Sequence, residues 1–190
     1  MINENLKFFY EGWLKKASDY KTDILSDSFD KFFTVFVAYN ALYNEAARRL
    51  VSSGRIRAND DRDKKSATVH APAHIGHGRM ANVIKGDNIA PSKLKEITEL
   101  IKNGTFCIHL NKQTGQPNHS EDMKHIKRIE NGNDQEFCES LMILIYKTRC
   151  NMFHGGKEYN LIQLRILNPM TYVLELVAKE LFHSLESDST

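Results

Sequence analysis

An all-α fold, with four main helices around one core, is predicted by three features of this sequence. Apolar residues recur at helical spacing toward both ends of the chain, cap residues stand where those stripes begin, and the middle has few large apolar side chains. At 190 residues the chain suits a single domain spanning 1–190. A short first helix carries Leu6, Phe9, Trp13 and Leu14. A long second helix runs from Asp27 to about Leu50, with Phe29, Phe33, Phe36, Tyr43, Ala47 and Leu50 on its stripe. Residues 53–132 are expected to form a long, loop-rich insertion, because "SSGRIRANDDRDKKSATVHAPAHIGHGRM" offers little to bury. Within it, short helices are predicted from about Ser92 to Asn103, stopped by Gly104, and from Ser120 to about Glu130, with "TFCIHL" as an extended piece between them. The third main helix is capped by Asn133 or Asp134, has Glu136 in its first turn and ends at Gly155-Gly156. In the fourth, "NPMTYVLELVAKELFHSL", Asn168 is the expected N-cap and Pro169 the first helical residue.

Composition narrows the class. Apolar content of 41% and charged content of 26% fit a soluble globular protein. A net charge of +2 is too weak to argue nucleic-acid binding, so any such argument must come from local charge. The start, "MINENLKFFYEG", lacks the pattern of a signal peptide, and the run "LMILIY" is far short of the ~20 residues of a membrane span. Cys107, Cys138 and Cys150 are odd in number and widely spaced, which argues against a disulfide framework. The expectation is a cytoplasmic protein with reduced thiols and no membrane contact.

The third main helix carries the chemistry. At about 100° per residue, Phe137, Leu141, Leu144, Ile145, Thr148 and Met152 share one face, while Met142, Tyr146, Cys150 and Phe153 form a second apolar patch roughly opposite. Such a helix is either sandwiched inside one bundle or shared with a second subunit. Arg149 and His154 border the second patch. Five residues correspond to about 140° of rotation, so one regular helix does not bring both onto one small ligand. Either the chain unwinds at the glycines, or a two-fold axis brings the residues of two copies together. Imidazole transfers protons in both directions near neutral pH, and arginine presents a fixed fork of donors to phosphate oxygens. Together they could cleave RNA through its own 2′-hydroxyl, with no metal or cofactor. The pattern by itself is equally met by a helix whose basic end suits the dipole.

"RCNMFHGGK" resembles the R-x4–6-H signature of HEPN domains, an all-α superfamily rich in RNases. "FFTVFVAYNALYNEA" and "LRILNPMTYVLELVAKEL" look like the corresponding blocks of the Apea-like branch, in which an aromatic-Asn-x-x-Tyr helix precedes the R-x4–6-H helix. The likeness covers both helical ends of the chain and leaves out 53–132. It implies a bundle of about four helices, usually homodimeric, with site residues of two copies facing one cleft. It also implies a metal-independent endoribonuclease of the toxin or antiviral-defence kind, with a possible cognate antitoxin. Arg149 and His154 would then be the catalytic pair. Some members of the superfamily are catalytically inactive and bind RNA, a nucleotide or a partner protein. The position after the motif arginine, often polar in the family, is Cys150 here, and Asn151 is the candidate to supply the polar group instead.

Other residues follow from their surroundings. Asn40 falls within the Phe33–Phe36–Tyr43 stripe, so its amide is expected to be buried, either orienting the catalytic pair or bonding between helices. Lys157 is a candidate phosphate contact or a solvated charge. Seven basic residues between Arg48 and Lys65, against Asp60, Asp61 and Asp63, guide RNA or simply solvate a loop. His70, His74 and His77 have metal-ligand types at H-x3-H-x2-H spacing but no regular scaffold, and no metal site is assigned.

Overall fold

The structure, a computed structural model, describes residues 2–60, 62–111, 113–153 and 161–188. His154, Gly155, Gly156, Lys157 and the side chain of Phe153 lie outside them, and with them the expected helix stop and half of the expected catalytic pair. Among the described residues the regular structure is helical; the only pairing of extended chain is a single antiparallel bridge between Leu110 and Pro117. No described helix is long and apolar enough to cross a membrane.

The expected main helices are present as α1 (Glu4–Ser18), α2 (Leu25–Ser52), α8 (Asp134–Phe153) and α9 (Leu164–Ser187). α2 and α9 pack along each other, α1 covers α2, and α6 (Ala90–Lys102) covers α9. α7 (His119–Asn131) packs on α8. The local signals for α8 and α6 hold. The Asn133 side chain accepts from the Glu136 N–H at 3.0 Å and Glu136 accepts from the Asn133 N–H at 3.2 Å, closing a capping box. Gly104 adopts φ +73°, which lets the Phe106 N–H reach the Leu100 carbonyl at 2.9 Å.

The middle of the chain departs from expectation. Residues 63–86, predicted as loop, form α3 (Asp63–Lys65), a π-helical segment (Ser66–His70), α4 (Ala71–Ile75) and α5 (His77–Gly86). Their buried residues are mostly small: Ala67, Thr68 and Ala71, joined by Ile75, Met80, Ala81 and Ile84. Alanines carry little hydropathy, yet they allow backbones to approach closely, and here they seat the π segment against both α2 and α8. The Tyr39 hydroxyl donates to the Ala67 carbonyl at 2.5 Å across that contact.

This middle segment also decides the second face of α8. Met142 and Tyr146, on the patch left open to a second subunit, are buried within the chain. α8 is therefore sandwiched at Met142 and Tyr146, packed against α4, α5, α7 and the π segment, so these two residues do not meet a second subunit, while Cys150 is half-buried. The start of α9 is corrected too. The helix begins at Leu164, five residues before Pro169, and Asn168 is no cap: its amide donates to the Thr22 carbonyl at 2.7 Å. Burial of Ile166 and Leu167 extends the helix upstream of the proline and offsets the backbone bond that proline cannot make.

Candidate functional site

Arg149 projects from the last turns of α8 onto α2. Its guanidinium carbon lies 5.3 Å from the centroid of the Phe36 ring, a cation–π distance. Tyr146, one turn earlier, meets the same ring at 6.2 Å. Around Arg149 is an open cavity of about 200 Å³. Its wall is one face of α2, Phe33, Phe36, Val37, Asn40 and Ala41, at the i, i+3, i+4, i+7, i+8 spacing of a single helical stripe, and Phe9 of α1 closes one side. Asn40 is half-buried rather than buried, because the stripe runs into this opening; its side-chain oxygen accepts from Asn44 at 2.7 Å. Arg149 and Asn40 are thus brought to one cavity.

Asn151 is not. It lies about 200° round the helix from Arg149. Its amide donates to the Ile108 carbonyl and ties the extended 106–110 stretch to α8.

Next to Tyr146 lies a polar arrangement that sequence reading missed, in which an exposed carboxylate meets two buried tyrosines. The Asp63 carboxylate accepts from the hydroxyls of both Tyr43 and Tyr146, the latter at 2.6 Å. Burial, and then the bond to Asp63, raise both phenol pKa values well above the ordinary range, so both remain donors. Nothing in the linear pattern of "NDDRDKK" distinguishes Asp63 from its neighbours.

A second polar cluster sits between the 106–110 stretch and α7. Asp122, fully buried, accepts from the Ile108 N–H at 2.7 Å, the His109 N–H at 3.0 Å and the His109 ring at 2.7 Å. Burial pushes its pKa up, but these bonds and one from Cys107 outweigh it and hold the carboxyl below its usual value. The His109 ring stacks on His125 at 5.1 Å. Burial first, then the proximity of His109, bring the His125 pKa down to about 4.

The histidines of the middle segment diverge. His70 Nε2 is 2.8 Å from the Asp60 carbonyl, His74 Nε2 faces Asp188, and His77 Nε2 is 3.9 Å from Glu139. Among the described residues no group of histidine, cysteine and carboxylate side chains is arranged to hold a metal ion.

Comparison with known proteins yields no relative: no family model, no curated protein and no solved structure matches the chain.

Proposed function

We propose that this protein is a HEPN-type endoribonuclease that cleaves RNA without a metal, with Arg149 and His154 as its catalytic pair. One observation carries the reading. Two of the three sequence blocks that resemble the family, "FFTVFVAYNALYNEA" and "RCNMFHGGK", lie more than a hundred residues apart. Phe33, Phe36, Val37, Asn40 and Ala41 from the first meet Arg149 from the second around one open cavity. In the proposed reaction the RNA 2′-hydroxyl attacks the adjacent phosphorus, the bond to the 5′-oxygen breaks, and a 2′,3′-cyclic phosphate remains. His154 moves the proton lost by the 2′-hydroxyl toward the leaving 5′-oxygen. Arg149 offsets the charge that grows on the non-bridging oxygens.

A second copy completes the site in this reading. With Met142 and Tyr146 of α8 buried, the surface that supports it is α1: Phe8 is 81% exposed and Phe9, at the cavity rim, 40% exposed. Light scattering on the wild type is expected to give a dimer, and Phe9→Glu a monomer. A monomeric wild type would remove the two-copy site. A role as toxin or defence effector held by an antitoxin rests on the family resemblance.

The test is cleavage of labelled RNA in the presence of EDTA. Wild type should cut. Arg149→Ala should lose about 10²–10³-fold in rate and His154→Ala about 10²–10⁴-fold. Binding without cutting across several RNAs would replace the enzyme by a silent RNA-binding module. Cutting that survives in both variants would place the site elsewhere.

A further inference from the structure

Where α2 ends, the chain builds a second basic concavity. Gly54, at φ +71°, reverses the backbone, and the Arg55 N–H bonds the Leu50 carbonyl at 2.9 Å. Arg55 therefore folds back beside Arg48 and Arg49. α4 contributes His74 and the end of α9 contributes Asp188, enclosing about 510 Å³. Arg49 is fixed by Glu45 at 2.9 Å and by the Leu185 carbonyl at 2.6 Å, and Arg48 by the same Glu45 at 2.7 Å. Arg55 reaches the cleft from the exposed turn.

His74 is the unusual member. Its side chain is only 2% exposed, and its Nε2 lies 3.3 Å from an Asp188 oxygen without forming a hydrogen bond. Burial lowers its pKa; Asp188 and Glu45 raise it, and Arg49 and Arg55 lower it further, for a net fall. A neutral imidazole thus faces a carboxylate in a cleft walled by arginines. Asp188, itself 53% exposed, sits where an external anion would.

We propose that this cleft is a phosphate-binding site, in which Arg48, Arg55 and His74 recognise the phosphate oxygens and Asp188 is the internal carboxylate that the phosphate displaces. Charge supports the choice. Three arginines against Glu45 and Asp188 leave one net positive charge, and two once Asp188 swings to solvent. That matches the roughly −1.5 to −2 of a phosphate monoester at neutral pH. The arginine fork fits phosphate oxygens in pairs, and a dianion beside His74 favours its protonated, doubly donating form. The phosphate can belong to an RNA backbone or to a free nucleotide. The site does not depend on Arg149 or on the endoribonuclease reading.

The experiment follows the His74 ring proton by NMR, assigned with His74→Gln, during titration with inorganic phosphate, then 5′-AMP, then a 12-nucleotide 2′-O-methyl RNA, which lacks the free 2′-hydroxyl that cleavage needs. Binding should be saturable with phosphate or AMP, with RNA, or with both, and should move the His74 titration midpoint upward. Saturation by phosphate and AMP identifies a monoester site; saturation by RNA alone identifies a backbone contact. Arg55→Ala should weaken binding about tenfold, Asp188→Asn should tighten it several-fold, and Arg149→Ala should leave it unchanged. A shift that chloride reproduces at equal ionic strength, or none with all three ligands, overturns the site. So does binding that is lost in Arg149→Ala or is indifferent to both Arg55→Ala and Asp188→Asn.

Discussion

Arg149 and Tyr146 stand one turn apart on α8 and both lean on Phe36, while Tyr146 is anchored below by Asp63. The ring that Arg149 rests on is thus shared with a tyrosine held by Asp63. Replacing Asp63 by Asn removes the charge that accepts both phenols. Asp63 is itself exposed and asparagine keeps an acceptor oxygen, so the expected loss in urea unfolding is about 1 kcal/mol. A change below about 0.5 kcal/mol would show that the two phenols hold without the charge. Arg149 was legible in the sequence because its residue type and its place near the end of an apolar helix already carry chemical meaning. Asp63 was not. Its partners stand 20 and 83 positions away, and such pairing appears only once the chain is folded.

Among the elements, the helices built on Phe, Leu, Ile and Tyr stripes were readable, and so was α8's capping box. What escaped was helix whose buried face is alanine and threonine, as in Ala67, Thr68 and Ala71, and a helix start set by Ile166 and Leu167 rather than by Asn168 and Pro169. Histidine placement was equally hidden, and α7 gives it a measurable consequence. His125 is held near a pKa of about 4 by burial and by His109, against opposing pulls from Glu121 and Asp122, with Arg128 adding to the depression. In the unfolded chain it titrates near 6.5. Between those values the unfolded state binds more protons, so stability is fully present above pH ~6.5 and falls as the pH drops toward ~4. The difference corresponds to roughly 3 kcal/mol. Thermal melts from pH 7 to 4 should show this decline, and His125→Gln should flatten it. An unchanged slope in the variant would assign the acid sensitivity to other groups.

At the scale of the whole molecule, the stretch expected to be an insertion is a structural partner of α2, α8 and α9. The π segment joins α2 to α8, α4 and α5 pack on both α8 and α9, and α6 covers α9. Replacing residues 58–86 by a short Gly/Ser linker should therefore abolish cooperative urea unfolding, where loss of a surface loop would leave a two-state transition. A preserved transition would return the segment to the periphery. The π turn within it has one more consequence. Its i→i+5 bonding, seen in the Ala71 N–H reaching the Ser66 carbonyl, accommodates one residue more than an α-helical turn does. Losing a single residue from 66–70 would restore ordinary α-helical bonding and leave Asp63 close to its present phase relative to Ala71, because the π turn already absorbs the extra residue. The π turn is thus the one place in this stretch where a residue can be lost without moving the carboxylate: a deletion from the α-helical turn of 71–75 instead would change the phase between Asp63 and everything that follows by about 100°.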